Sequence, residues 1–312
     1  MRIAFVGQGR YFLATSFQGR LNGSIGKFFD LDSQLISEEH ILSGLVEFRP
    51  NVIVVYRPDF FERLNNLIYD LQIAPVVGFF TEPVGKRTTF FVDNLRQRRQ
   101  FLKNSLKHLK LDYRFCFTDD LAELVSRYAL VSGVMPLPVN DKLYSQRKFD
   151  LSNAKIIFLG RMNVYRSNIV DSIKHEYNPI VIDNGLGFDE LESLIEKNSA
   201  IALNNHVGKL KSFEHRVLGH MALGHLVISQ PLIPDFGFLP DCEYISFDSS
   251  LDLVRQLEKI RKNPEWATWI ANRGIEMVKR HKASEIWSQL GNTLVTWDGI
   301  ETRKHFGLPQ KP

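Results

Sequence analysis

The sequence predicts an α/β protein of two Rossmann-like domains, each built on a parallel sheet. Three observations carry this. Short β-branched or aliphatic runs alternate with amphipathic stretches along the 312 residues. Several runs are continuously apolar, as parallel strands covered on both faces require. And the opening Arg2–Gly7 (RIAFVG) has a near copy half a chain later, Lys155–Gly160 (KIIFLG).

In chain order, the first series of expected strands is Ile3–Val6, Val52–Val55, Ala74–Phe79, Phe115–Thr118 and Val134–Leu137. The second is Lys155–Leu159, Ile180–Asp183, Ala200–Leu203, Leu226–Ser229 and Tyr244–Phe247, with helical stretches between most of them. The two series are separated by Pro136–Ser152, which is polar, carries two prolines and has no period. The expected domains are therefore 1–140 and 154–285, joined by a linker at 141–153. A C-terminal helix over 286–312 is expected to cross back to the first domain. The tail from Asn263 to Phe306 is helical in pattern, with Trp266, Trp269, Trp287 and Trp297 at apolar positions.

With 44% hydrophobic and 24% charged residues, the composition is that of an ordinary soluble globular chain and argues against disorder. Met1–Gly7 is too short for a signal peptide's apolar core, and no later run is long enough to span a bilayer. Cys116 and Cys242 sit in apolar runs without a pairing motif and are expected to be buried, reduced thiols. Together these features point to the cytoplasm. The net charge of +4 is unevenly spread: Lys86–Arg114 alone carries +7. Leucines recur there at helical spacing among arginines and lysines. A solvated helix face, peripheral contact with an anionic membrane, and contact with a phosphate-bearing or nucleic-acid acceptor are all compatible with this pattern.

Gly7-Gln8-Gly9-Arg10-Tyr11 follows the first strand. Two glycines let a backbone approach a ligand at the carboxyl edge of a sheet, so this is a candidate acceptor-side loop; a plain tight turn is the alternative. The dinucleotide fingerprint would place a third glycine where Phe12 stands. No acid is expected to close a second strand about twenty residues on, so a nicotinamide cofactor is disfavoured. Gly160, Arg161 and Arg166 follow "KIIFL". A strand, a glycine, two arginines and a helix would aim guanidinium and helix N–H groups at a diphosphate. In Asn204–Ser229 a strand ends at Asn205, and a loop with His206, Gly208, Lys209 and Lys211 follows. A helix is expected to start near Ser212–Glu214, with Ser212 as N-cap and Gly224 as terminator. His215, His220 and His225 recur every five residues, a rotation of about 140° each, so they are not expected to share a face. With no H-E-x-x-H motif or paired cysteines, no metal site is expected. Glu82, just past an apolar strand, is a candidate general base or a solvated turn residue.

These motifs resemble the group 1 glycosyltransferases, most closely the CgeB-type, spore-maturation-protein-like branch. "FFTEPV" is similar to that branch's acidic-proline loop, and "FLGRMNVYRSNIV" to its glycine-to-arginine phosphate loop. "ALNNHVGKLKSFEHRVLGHMALGHLVISQPLIPDFGFLPDCEYISF" resembles its donor-site signature. The resemblance implies a GT-B fold, with two Rossmann-like domains facing across a cleft and the nucleotide sugar on the second. It places Arg161, Arg166 and the stretch Lys209, Lys211, Ser212, Phe213, Glu214 and Arg216 at the donor phosphates, preceded by Asn205 and His206. No cofactor or bound metal is implied. One departure is plain: Gly219 stands where the pattern Arg-Val-x-Glu-Ala has its glutamate.

The expected function is metal-independent transfer of a sugar from a nucleotide diphosphate sugar to an unidentified acceptor. A catalytically weakened nucleotide-binding or scaffold protein is one alternative. A nucleic-acid-modifying glycosyltransferase is the other.

Overall fold

A computed structural model describes residues 1–31, 37–81, 92–144, 149–182, 199–206, 213–233 and 235–297; the side chains of residues 10, 11, 92–98 and 295–297 lie outside the description. The chain divides into two compact units. One takes the chain up to Pro138 and again from Ala283; the other is Val139–Lys282.

The first unit is built on β1 (Arg2–Gly7), α1 (Gly9–Leu13), β2 (Gly19–Leu21), β3 (Ser24–Asp30), α2 (Glu38–Phe48), β4 (Val52–Tyr56) and α3 (Glu62–Asp70). It continues with β5 (Val76–Phe80), α4 (Val92–Leu106), β6 (Tyr113–Cys116), α5 (Asp119–Ser126) and β7 (Gly133–Val134). The sheet order is β2-β3-β1-β4-β5-β6-β7, parallel throughout except for β2 against β3. One face buries Ala4, Val6, Ile53, Val55 and Phe80 under Leu45 of α2, Ile68 of α3, Leu102 and Leu106 of α4 and Val125 of α5. The other face carries Phe5, Tyr56 and Phe79, which meet Trp287 edge-on at 5.7–6.2 Å. Trp287 lies on α10 (Ala283–Trp297) and is buried. Its Nε1–H and the Tyr56 hydroxyl both donate to the Thr15 carbonyl, at 2.9 and 3.3 Å, so the rings' polar atoms are satisfied inside the core.

The hairpin β2–β3 was not among the expected strands. Its sequence, GRLNGSIGKFFD, is too rich in glycine to read as an apolar run. Its signal is the Asn22-Gly23 turn, with both residues at positive φ (46° and 74°), the two-residue connection that suits strand twist. Gly26 is required there, because a Cβ would meet the Phe17 carbonyl. The hairpin corrects a second expectation: an acid does close a strand about twenty residues after the glycine loop. Asp30 ends β3, and its Oδ1 accepts the Gly9 N–H at 2.8 Å.

The second unit contains β8 (Lys155–Leu159), α6 (Val164–Tyr177), β9 (Ile180–Ile182), β10 (Ala200–Asn204), α7 (His215–Ala222) and β11 (Leu226–Ser229). It ends with β12 (Ile245–Ser246), α8 (Ser250–Lys262) and α9 (Pro264–Val278). Its all-parallel sheet has the order β12-β11-β10-β8-β9. Phe158, Leu203 and Ile228 pack against Ile169 and Ile173 of α6, Leu253 and Leu257 of α8, and Ile270 of α9. Two parallel, Rossmann-like sheets are thus present, as the strand pattern predicted.

Some local expectations need correction. α7 begins with Glu214 at the N-cap position and no side-chain cap, not with Ser212, which lies outside the described residues. Its far end behaves as expected. Gly224 adopts φ +82°, its N–H donates to the Met221 carbonyl, and the His225 N–H reaches back to the His220 carbonyl. Cys116 is buried, and burial pushes its thiol up to about 12, but Cys242 is only half-buried. Trp269 is 48% exposed, lying beside Arg273 rather than in the core.

Candidate functional site

In an open α/β sheet, the place for a ligand is the crevice beyond the strand carboxyl ends where the order of connections reverses. In the second sheet that point lies between β8 and β10, since β8 connects through α6 to β9 on its other side. Gly160, Arg161 and Arg166 follow β8, and Asn204, Asn205 and His206 close β10. The fold therefore brings the two predicted motifs to one crevice.

The arginines there divide by role. Arg166 is 4% exposed. Its Nε–H is shared between the Asn205 and His206 carbonyls, each at 3.3 Å, and its Nη1–H donates to the Arg161 carbonyl at 2.8 Å. Arg216 donates from Nε to Asn204 Oδ1 at 2.6 Å, from Nη1 to the Leu159 carbonyl at 2.9 Å, and from Nη2 to the Asn205 carbonyl at 3.0 Å. Both guanidinium groups lie near the Phe158 ring, at 5.7 and 5.6 Å. They therefore bind the loop ends of β8 and β10 together. Gly160 makes this possible, with φ +140° and with Arg216 Nη1 lying where a Cβ would stand. Glu214 sits between the pair, 3.8 Å from Arg166 and 3.7 Å from Arg216. Two cations against one carboxylate leave one positive charge in a buried setting, where Coulomb forces are weakly screened.

Arg161 differs. It is exposed, its backbone is held by Arg166, and its guanidinium makes no hydrogen bond or ion pair among the described residues. It precedes the N-terminus of α6, where Asn163 caps the Arg166 N–H at 2.9 Å and Val164 is 80% exposed. A free guanidinium beside a helix N-terminus is an arrangement that attracts phosphate.

A polar network that the motifs did not predict supports the crevice. Asn204 Nδ2–H donates to Ser229 Oγ at 2.7 Å. His206 N–H donates to Gln230 Oε1 at 2.9 Å, and Gln230 Nε2–H to the Tyr165 hydroxyl at 2.8 Å. His206 Nε2 lies 2.9 Å from the Pro231 carbonyl, which can only accept, so the proton sits on Nε2. Burial lowers the pKa of His206 and holds it neutral. The Asn205 side chain, fully buried, has neither its oxygen nor its nitrogen hydrogen-bonded among the described residues. Phe213 is buried and packs on Phe236 and Phe238. Lys209, Lys211 and Ser212 lie outside the described residues, as does Glu82.

The other predicted loop has a different character. Gly9 adopts φ +69° and donates to Asp30, and Gln8 is exposed; nothing is described of the Arg10 and Tyr11 side chains. Behind the loop, Phe12 stacks on Tyr56 at 4.6 Å, and a Cβ on Gly7 would lie 2.9 Å from the Tyr56 ring. Aromatic rings, and not cations, pack beside the ends of β1 and β4 among the described side chains.

The three histidines do not share a helix face, since His225 lies past the end of α7, yet two of them touch. His220 and His225 do meet, Nδ1 to Nδ1 at 3.0 Å, because the turn at Gly224 folds His225 back over the last turn of α7. Among the described residues, no group of three or more His, Cys, Asp or Glu is placed to hold a metal ion. No helix among the described residues is long and apolar enough to cross a membrane.

No protein-family model matches the chain, and no curated protein matches it in sequence. Solved structures do match in fold. Anabaena Alr3699/HepE in complex with UDP-glucose aligns with a TM-score of 0.58 at 11% identity, over 95% of this chain and 100% of that one. Sucrose-phosphate synthase from Thermosynechococcus elongatus aligns with 0.56 at 11% identity, over 95% and 99%. The lipopolysaccharide outer core galactosyltransferase WaaB, in its apo form, aligns with 0.52 at 11% identity, over 96% and 100%. At this identity the likeness shows the fold alone: an α/β chain with two parallel-sheet, Rossmann-like regions, as in GT-B glycosyltransferase structures.

Proposed function

We propose that this chain is a glycosyltransferase that takes a sugar from a nucleotide diphosphate sugar and passes it to an acceptor. The observation that carries the proposal is the division of labour among the crevice arginines. Arg166 and Arg216 are spent on backbone carbonyls, the Asn204 amide oxygen and Glu214, and build a net-positive floor. Arg161 is left with its guanidinium exposed at the N-terminus of α6. A diphosphate leaving group gains negative charge as the glycosidic bond breaks, and fixed cations and helix N–H groups lower that barrier without reorganising. The buried Asn205 amide offers a further donor and acceptor to a polar ligand. Support comes from similarly folded proteins: Anabaena Alr3699/HepE was crystallised with UDP and with UDP-glucose, and WaaB is named a galactosyltransferase.

In this reading the donor's own phosphates are met by protein cations, with no metal, and the chemistry takes place in the cytoplasm. The basic stretch 86–114 is available to an anionic acceptor or membrane. Glu82 is the candidate base for the acceptor hydroxyl. Placement within the CgeB-like branch rests on the sequence motifs. A second reading, a nucleotide-binding protein with weakened catalysis, is favoured by Gly219. It lies buried in α7 where related motifs carry a glutamate, and Glu214 is already engaged by Arg166 and Arg216.

The test is to incubate the chain with a panel of nucleotide sugars and to measure nucleoside diphosphate affinity by calorimetry. Arg161→Ala is expected to weaken binding about tenfold, the size of one charge-assisted hydrogen bond, with no change in melting temperature. Unchanged affinity would refute the phosphate role. Tight binding with neither transfer nor donor hydrolysis would select the second reading.

A further inference from the structure

The basic stretch 86–114, left above to an anionic acceptor or a membrane, adjoins a cluster of exposed aromatic rings on the first unit. α3, α4 and α5 lie on the same face of the sheet, with Leu64, Ile68, Leu102, Leu106, Leu121 and Val125 turned into the core. Among the described side chains of α4, the middle connection, and just past its end, Gln100, Phe101, Asn104 and Lys107 form an exposed arc. Phe101 on that arc is 45% exposed. Its ring sits 5.3 Å from that of Phe60, which is 44% exposed and belongs to the loop before α3. Arg57 covers the Phe60 ring at 3.6 Å. On the other flank of α4, Lys103 lies 5.8 Å from the ring of Tyr128, which is 41% exposed. Single exposed apolar residues need no explanation; two touching phenylalanines beside cations and a third exposed aromatic do.

The charges around these rings leave a positive surplus. Lys103 and Lys107 are in no ion pair among the described residues. Of the acids around the rings, Asp70 and Glu123 are paired, with Lys110 at 2.8 Å and Arg127 at 3.0 Å, Asp59 is buried beside Phe60 and Glu62 is half-buried, so Arg57, Lys103 and Lys107 still outnumber Asp59 and Glu62. Asp119 and Asp120 lie at the opposite end of α5 from Tyr128.

We propose that this layer is a docking surface for an anionic lipid bilayer, with Phe60 and Phe101 entering the headgroup region and Lys103 and Lys107 meeting lipid phosphates. Aromatic rings settle at the membrane–water interface, and each nearby lysine adds electrostatic attraction that acts only within about a Debye length. A single-stranded nucleic acid fits less well. Base stacking needs an open ring face, and Phe60 has one face under Arg57 and its flank against Phe101. The proposal does not depend on the sugar-transfer reading.

The experiment is co-sedimentation of the full chain with vesicles of phosphatidylcholine alone and of phosphatidylcholine mixed with phosphatidylglycerol. Binding is expected only with the anionic vesicles and should weaken steadily as salt rises. K103E/K107E should reduce partitioning at least about tenfold, while K103R/K107R should retain it. F60S/F101S should also reduce it, with the salt dependence kept and melting unchanged, since both rings are exposed. Absence of binding at low salt, equal binding to neutral vesicles, or variants that bind like the wild type would overturn the proposal. So would binding of single-stranded nucleic acid through these residues in place of vesicles.

Discussion

The two sheets of this molecule offer unlike carboxyl edges at equivalent points of their topology. At the first, between β1 and β4, Phe12 stacks on Tyr56, and the glycine loop is tied to Asp30. At the second, between β8 and β10, the same place holds Arg166, Arg216, Glu214, Asn204, Asn205 and His206 in one polar network. Apolar packing stabilises one edge. Polar packing keeps the other charged, at a stability cost that internal hydrogen bonds offset. A shared topology therefore does not imply a shared role; the side chains at the switch point decide it.

If the second edge is held by its arginines, removing one should damage the fold as well as binding. Arg216→Ala would take one of Glu214's two cations and remove the donors to Asn204 Oδ1 and the Leu159 carbonyl, and is expected to cost about 3–5 kcal/mol in urea unfolding, the range for breaking a buried charge pair. A loss no larger than that of exposed Arg161→Ala would show that Arg216 is not part of the floor. At the first edge the corresponding element is aromatic. Trp287→Ala would empty the site that joins Phe5, Tyr56 and Phe79, and is expected to cost about 3–5 kcal/mol, with nucleotide affinity of the folded fraction unchanged. A fall in affinity without a fall in stability would place the ligand at the wrong sheet.

Acid should separate the units next. His206, His220 and His281 are buried in the second unit. Burial lowers all three, with the positive charge of Arg280 adding to it at His281, which falls to about 4, and the His225 and Arg216 charges adding to it at His220. A histidine whose folded pKa lies below its unfolded 6.5 is bound to fewer protons when folded. Its contribution is therefore present above pH 6.5 and lost as pH falls toward the folded value. For His281 alone the loss approaches about 3 kcal/mol by about pH 4. Urea midpoints should therefore fall steadily below pH 6.5, and His281→Gln should flatten the curve; a pH-independent midpoint would contradict the burial account.

Much of the fold was legible because its strands are buried on both faces and so read as unbroken apolar runs. The hairpin Gly19–Asp30 was not, since two of its strand positions are glycines and its one clear cue was Asn22-Gly23. Asp30 was missed with it. At the site, the sequence placed Gly160, Arg161, Arg166 and Arg216 together, because each follows a strand end. It could not show which guanidinium is spent on the backbone. That depends on Leu159, Asn204 and Asn205, up to 57 residues from Arg216, turning carbonyl and amide oxygens to it. The His220–His225 contact was hidden for a similar reason: helical spacing separates the two, and only the reversal at Gly224 brings them together.

The central claim, that the ligand belongs to the second edge and not the first, is tested most directly by hydrogen–deuterium exchange with and without a nucleoside diphosphate. The account predicts that ligand slows exchange at residues 159–166 and 203–206 and leaves residues 5–12 unchanged. Protection at 5–12, with none near Arg161, would contradict it.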